Sequence, residues 1–141
     1  MVYLDTSVAV PLFVTKPSSD QIDRWFSACD VPVFSSEWII TEFSSALSIK
    51  ERSGTLAAKD AKAAWRSFET FCQSGLRLMP VSRNAFGAAA AMARVSAHGL
   101  RAGDALHLAI ALEMGAHAIA TLDAVLVGNA KRLKIKTVVF S

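Results

Sequence analysis

The stretch Val2-Tyr3-Leu4-Asp5-Thr6-Ser7 decides how the remainder of the 141-residue chain is read. Three apolar residues run into a carboxylate, and two hydroxyls follow it. A short apolar run bounded by a polar turn reads as a buried parallel strand. Such strands carry function at their carboxyl ends, where loops open onto the crevice of an α/β sheet. Asp5 then stands at that edge on the first strand. Taken alone, it reads equally well as the N-cap of a helix starting near Val8.

Working outward, strand and helix signals alternate. The spacing predicts a helix over Ser7–Val14, with Pro11 tolerated in its first turns, and a second helix from Ser18 or Ser19 to Cys29. Val33-Phe34 reads as a short strand. A long helix follows from Ser36, as its cap, to Arg52, and Gly54 stops it. Leu56–Ser74 is amphipathic and ends at Gly75, and Leu76–Val81 reads as a third strand. Ser82 caps an alanine-rich helix through Ala97, and Asp104–Met114 forms the next helix. His117–Thr121 is a fourth strand, Ala124 opens a short helix, and Thr137–Phe140 is the last strand. Strands separated by helices imply right-handed crossovers, hence a single-domain α/β three-layer sandwich over 1–141, with a central parallel sheet flanked by helices.

Composition narrows the function classes. The hydrophobic share of 52% is high, yet no apolar run reaches the ~18 residues of a membrane span. Asp5 interrupts the first apolar run and no basic region precedes it, so no signal peptide is expected and the chain reads as cytoplasmic. Cys29 and Cys72 are far apart and read as free thiols, while His98, His107 and His117 lack zinc spacing. The net charge of +3 is compatible with a polyanionic partner. Basic residues gather at Lys131, Arg132, Lys134 and Lys136.

Four carboxylates share one property. Asp5 follows strand one, Glu42 lies beside the inward stripe of the long helix, Asp104 opens a late helix, and Asp123 follows strand four. Each has an ordinary explanation, as a cap or a half-exposed helix residue. Together they converge on one sheet edge, where several acids repel one another unless a cation neutralises them. Oxygen ligands without sulfur favour Mg²⁺ or Mn²⁺, and Thr6, Ser7 and Thr121 stand beside the acids as holders of water or phosphate. Such sites serve phosphoryl chemistry. His107, on roughly the Asp104 face, reads first as a satisfied buried histidine and second as a group touching the site through water.

These residues resemble the PIN-domain ribonucleases, and among them the VapC-type toxins of bacterial toxin–antitoxin pairs. The resemblance rests on Val2–Ser7, on Ser35–Glu42 with Ser45-Ala46-Leu47, on Leu100–Ala109, and on Ala120–Asp123, in order along the whole chain. It implies a PIN-like fold and a divalent-metal-dependent endoribonuclease, the toxin of a type II pair. It places Asp5, Glu42, Asp104 and Asp123 at the catalytic and metal-holding positions, with Thr6, Ser7 and Thr121 lining them. It also implies an RNA substrate, a cognate antitoxin and a homodimer. Trp25, Trp38 and Trp65 are the residues expected to contribute to an apolar dimer face. The alternative is a non-catalytic RNA-binding or assembly module. A haloacid-dehalogenase reading fails at Ser7, where a second Asp is needed, and a receiver-domain reading fails at Val81–Asn84, which lacks an Asp.

Overall fold

The computed structural model describes residues 1–141. Its sheet has five short strands: β1 (Val2–Leu4), β2 (Val33–Ser36), β3 (Arg77–Met79), β4 (Ala118–Ala120) and β5 (Lys136–Thr137). Every pairing is parallel and the order is β3-β2-β1-β4-β5. Seven helices connect them: α1 (Thr6–Phe13), α2 (Ser19–Ala28), α3 (Trp38–Arg52), α4 (Ala58–Ser74), α5 (Arg83–Arg94), α6 (Ala102–Glu113) and α7 (Ala124–Arg132). The expected α/β three-layer sandwich is the observed one. No helix is long and apolar enough to cross a membrane.

The sheet splits the interior into two cores, and β1 serves both because successive side chains alternate across a strand. Val2 and Leu4 join Val8, Ile22, Ile39, Phe43 and Phe68 on the face covered by α1 to α4. Tyr3 joins Ala89, Leu106, Ile110 and Leu126 on the face covered by α5 to α7. This division follows from right-handed crossovers, since the chain builds outward from β1 to β3 and then returns to β4 on the other side. The reversal of direction leaves a crevice at the carboxyl ends of β1 and β4. The Asp5 amide donates to the Ala120 carbonyl at 3.0 Å and ties those two ends together.

Some boundaries differ from the sequence reading for identifiable reasons. Ser36 does not cap α3: it completes β2, and its hydroxyl hydrogen-bonds Tyr3 Oη at 3.0 Å. Helix α6 starts at Ala102, which puts Asp104 inside its first turn. The final strand is confined to Lys136–Thr137, because the chain leaves the sheet edge and packs Phe140 against Trp25, ring centroids 5.4 Å apart. The tryptophans cover their own cores. Trp25 and Trp65 pack on the α1–α4 side, and Trp38 on the other. Gly54 and Gly115 end helices with φ of 76° and 66°, a conformation in which other residues are strained.

An aromatic cluster locks the first core. Phe43 and Phe68 stack with centroids 3.9 Å apart, and Phe13 meets both edge-on. Phe43→Ala is expected to lower unfolding free energy by about 3–5 kcal/mol. Val139→Ser, at a position 85% exposed, should shift it by no more than about 0.5 kcal/mol. Urea unfolding of the two variants checks both values.

Candidate metal centre

Asp5 is placed by the end of β1 and the start of α1. Its backbone is extended, and its side chain accepts from the Ser7 amide at 3.3 Å, as an N-cap does. The same oxygen, Oδ2, also accepts from Ser7 Oγ at 2.5 Å and from Thr121 Oγ1 at 2.9 Å. Three donors therefore hold one carboxylate oxygen. The other, Oδ1, faces inward, 3.5 Å from His107 Nε2. Capping and site are two functions of one side chain, with Asp5 only 3% exposed.

Glu42 projects from α3 into the same crevice. Its Oε1 accepts from Thr6 Oγ1 at 2.6 Å and from His107 Nε2. Its Oε2 turns toward α6 at Gly103, where a Cβ would lie only 2.5 Å from that oxygen. The same Cβ would lie 3.3 Å from Trp38 Nε1, a buried N–H without a hydrogen-bond partner. That indole falls short of bonding geometry to Glu42, yet its dipole still favours the carboxylate. The first turn of α6 approaches α3 this closely because residue 103 carries no side chain.

His107 is fully buried between these acids. On its far side Nδ1 meets Tyr3 Oη at 2.6 Å, which in turn reaches Ser36. Glu42 as a carboxylate only accepts, so Nε2 carries the proton that joins them. Burial by itself lowers the imidazole pKa. The hydrogen bond from Glu42 and the charges of Asp5 and Glu42 outweigh it, and the pKa is raised. Burial likewise pushes Glu42 up, and its bond and charge interaction with His107 bring it down overall. The pair is an imidazolium–carboxylate pair. Burial also pushes the Tyr3 phenol well above its usual value, so it stays protonated and bridges His107 to Ser36.

Asp104 and Asp123 complete the acidic edge. Burial, then the anions Asp123, Asp5 and Glu42, raise Asp104 from 3.8 to about 6. Asp123 caps α7 by accepting from the Leu126 amide at 2.9 Å, and its own amide donates to Thr121 Oγ1. The tight cluster comprises Asp5, Glu42 and His107, whose donor atoms lie within 4.8 Å of one another. Asp104 and Asp123 stand outside that triad, coupled to it through charge. All four acids expected from sequence thus meet at one edge. Thr6, Ser7 and Thr121 are there as well, with their protons committed to carboxylates. His107 is both buried and a member of the cluster, so the two readings of it merge. Tyr3, Trp38 and Gly103 were not singled out by sequence, since nothing in local spacing shows that α6 touches α3. The donor set suits a divalent cation: hard oxygens predominate, and Asp104 clings to a proton because neighbouring anions lack a counter-charge.

Two outcomes follow. Asp104 has its folded pKa raised, so its stabilising contribution is complete below about 3.8 and is lost as pH rises through about 6. Calorimetry in EDTA between those pH values should show that loss in the parent protein and not in Asp104→Asn, which becomes the more stable of the two at neutral pH. Gly103→Ala favours the helix by up to about 1 kcal/mol but displaces Glu42. Titration calorimetry should find Mn²⁺ bound at least about tenfold more weakly.

Comparison with known proteins agrees with this geometry. The PIN domain family pattern matches residues 2–132. No curated protein matches in sequence. Among solved structures, Mycobacterium tuberculosis VapC20, described as a sarcin–ricin loop cleaving toxin, superposes with a TM-score of 0.74 at 18% identity, over 92% of this chain and 95% of that one. FitAcB from Neisseria gonorrhoeae gives 0.67 at 16% identity, covering 97% and 96%. VapBC2 from Rickettsia felis, solved bound to a DNA fragment from its promoter, gives 0.67 at 16% identity, covering 100% of both chains. With the four acids in place at the sheet edge and the family pattern running from β1 to the end of α7, the chain belongs to the PIN domain family.

Proposed function

We propose that this protein is a divalent-metal-dependent endoribonuclease that hydrolyses RNA phosphodiester bonds as the toxin of a type II toxin–antitoxin pair. The observation that carries the reading is the gathering of Asp5, Glu42, Asp104 and Asp123 at the switch point of the sheet, with enough mutual repulsion to raise Asp104 to about 6. Asp5, Glu42 and Asp104 would hold Mg²⁺ or Mn²⁺, with Asp123 at its rim. When bound, the cation supplies charge for the attacked phosphate and lowers the pKa of the attacking water. The chain's own residues prepare that place. Ser7 and Thr121 pin Asp5 Oδ2 and leave Oδ1 free, Thr6 and His107 orient Glu42, and Tyr3 fixes the imidazole from behind.

The RNA-cleaving description of VapC20 supports the substrate class. The promoter-bound VapBC2 assembly supports a cognate antitoxin as partner. A homodimer fits the exposed apolar side chains Ile40, Phe86 and Val125. One observation favours the alternative, a non-catalytic RNA-binding module: His107 already neutralises Glu42 without a metal. Both readings meet the same experiment, in which purified protein is incubated with structured RNA and Mg²⁺ or Mn²⁺, with and without EDTA.

Cleavage that EDTA abolishes is the expected result. Asp5→Asn or Asp104→Asn should reduce it by about 10²–10³-fold, the scale of losing one electrostatic partner of a transition state. Thr121→Val should cost about tenfold, because Thr121 only orients Asp5. An Asp104→Asn protein that melts lower and cleaves normally would return Asp104 to a structural role.

A further inference from the structure

The ribonuclease reading requires the polyanion to be gripped beyond the acids, and the basic strip noted in the sequence is badly placed for that. Helix α7 starts at Asp123 and carries the chain away from the crevice, so Lys131, Lys134 and Lys136 lie toward the opposite edge of the sheet. A different pair of cations shares a surface with the site. A groove of about 450 Å³ runs between α1 and α3, with Thr6, Ser7 and Asp123 among its lining residues and Lys16 and Lys50 bordering it as well.

The groove has three features that belong together. Its walls include Ile49 and Leu122, which are 52% and 41% exposed, large apolar side chains that a base or ribose would cover. Lys16 and Lys50 come from different elements, the loop after α1 and the end of α3, and sit close enough to repel each other. Burial and that neighbouring ammonium both lower the Lys16 pKa. None of the 15 lysines and arginines forms an ion pair, since the only pairs in the chain are those of His107. Lys16 and Lys50 are distinguished by their juxtaposition in a groove that also reaches the acids. Helix α1 extends about 10 Å from Ser7 before the chain turns toward Lys16, a span suited to nucleotides flanking the one at the acids.

We propose that the α1–α3 groove is a subsite for single-stranded RNA, in which Lys16 and Lys50 together hold a backbone phosphate flanking the scissile one while Ile49 and Leu122 support the adjoining nucleotide. This rests on the ribonuclease reading and adds to it the path of the strand. The carboxylates at one end disfavour an acidic peptide along the same route, whereas a strand joined to them through a divalent cation has charge partners at both ends.

The test compares the parent protein, a Lys16→Gln/Lys50→Gln double variant and a Lys131→Gln/Lys136→Gln double variant of equal charge. Anisotropy of a short fluorescent single-stranded RNA is followed against salt in Ca²⁺, with gels verifying that the probe stays intact. The groove variant should bind at least about tenfold more weakly, and its log–log salt slope should shrink by about 1.4, at ~0.7 for each phosphate contact. Its Mn²⁺ affinity and Tm should match the parent, and the control variant should keep parental affinity and slope. Unchanged binding by the groove variant, an equal loss in the control, or displacement of the RNA by polyglutamate as readily as by polyuridylate would overturn the subsite. If the parent cleaves RNA in Mn²⁺ and the groove variant binds as well as it does, only the subsite fails. If the parent neither binds nor cleaves RNA, the ribonuclease reading fails and the subsite with it.

Discussion

Negative charge crowded at the carboxyl ends of β1 and β4 is the constraint that the surrounding structure answers to. Four carboxylates at a half-buried edge are costly, because each loses water and gains like-charged neighbours. The protein meets the cost in two ways. Donors are aimed at individual oxygens: two hydroxyls and an amide on Asp5 Oδ2, and a hydroxyl and an imidazole on Glu42 Oε1. A positive charge is then set among the acids in the form of His107, whose far nitrogen leans on the Tyr3 hydroxyl. What remains uncompensated is expressed at Asp104, held up at about 6.

The compensation depends on how closely two helices approach. Glu42 rides on α3 and His107 on α6, and these helices belong to different layers. They meet only at the edge, where the first turn of α6 passes Glu42 Oε2 and Trp38 across Gly103. Both cores brace that meeting point. Phe43, one residue beyond Glu42, is stacked on Phe68 in the first core. Leu106 and Leu108, on either side of His107, are packed in the second. Rigid packing on both sides is what keeps a site built from separated segments within hydrogen-bond tolerance.

Several residues hold structural and chemical duties at once. Asp5 and Asp123 cap α1 and α7 with one oxygen while their charge faces the crevice. A cap geometry orients the carboxylate and leaves an oxygen over, so the ordinary reading of each acid and its functional reading are the same arrangement. This is why reading any single acid from local context is ambiguous, and why only their convergence is informative.

Sequence alone determined the alternation of strands and helices, hence the parallel sandwich, and with it the edge on which Asp5, Glu42, Asp104 and Asp123 must lie. It did so because those features are local: an apolar run into a carboxylate, a helical stripe, a glycine that ends a helix. Tertiary structure alone decided what joins the acids to one another. Tyr3 reads as one more apolar strand residue, yet its position in the alternation turns its hydroxyl under His107. Gly103 reads as a loop glycine, yet it is the gap through which α3 and α6 touch. Lys16 and Lys50 are 34 positions apart and become neighbours only when α1 and α3 pack side by side. Such pairings arise from contacts between distant segments, and no periodicity within either segment encodes them.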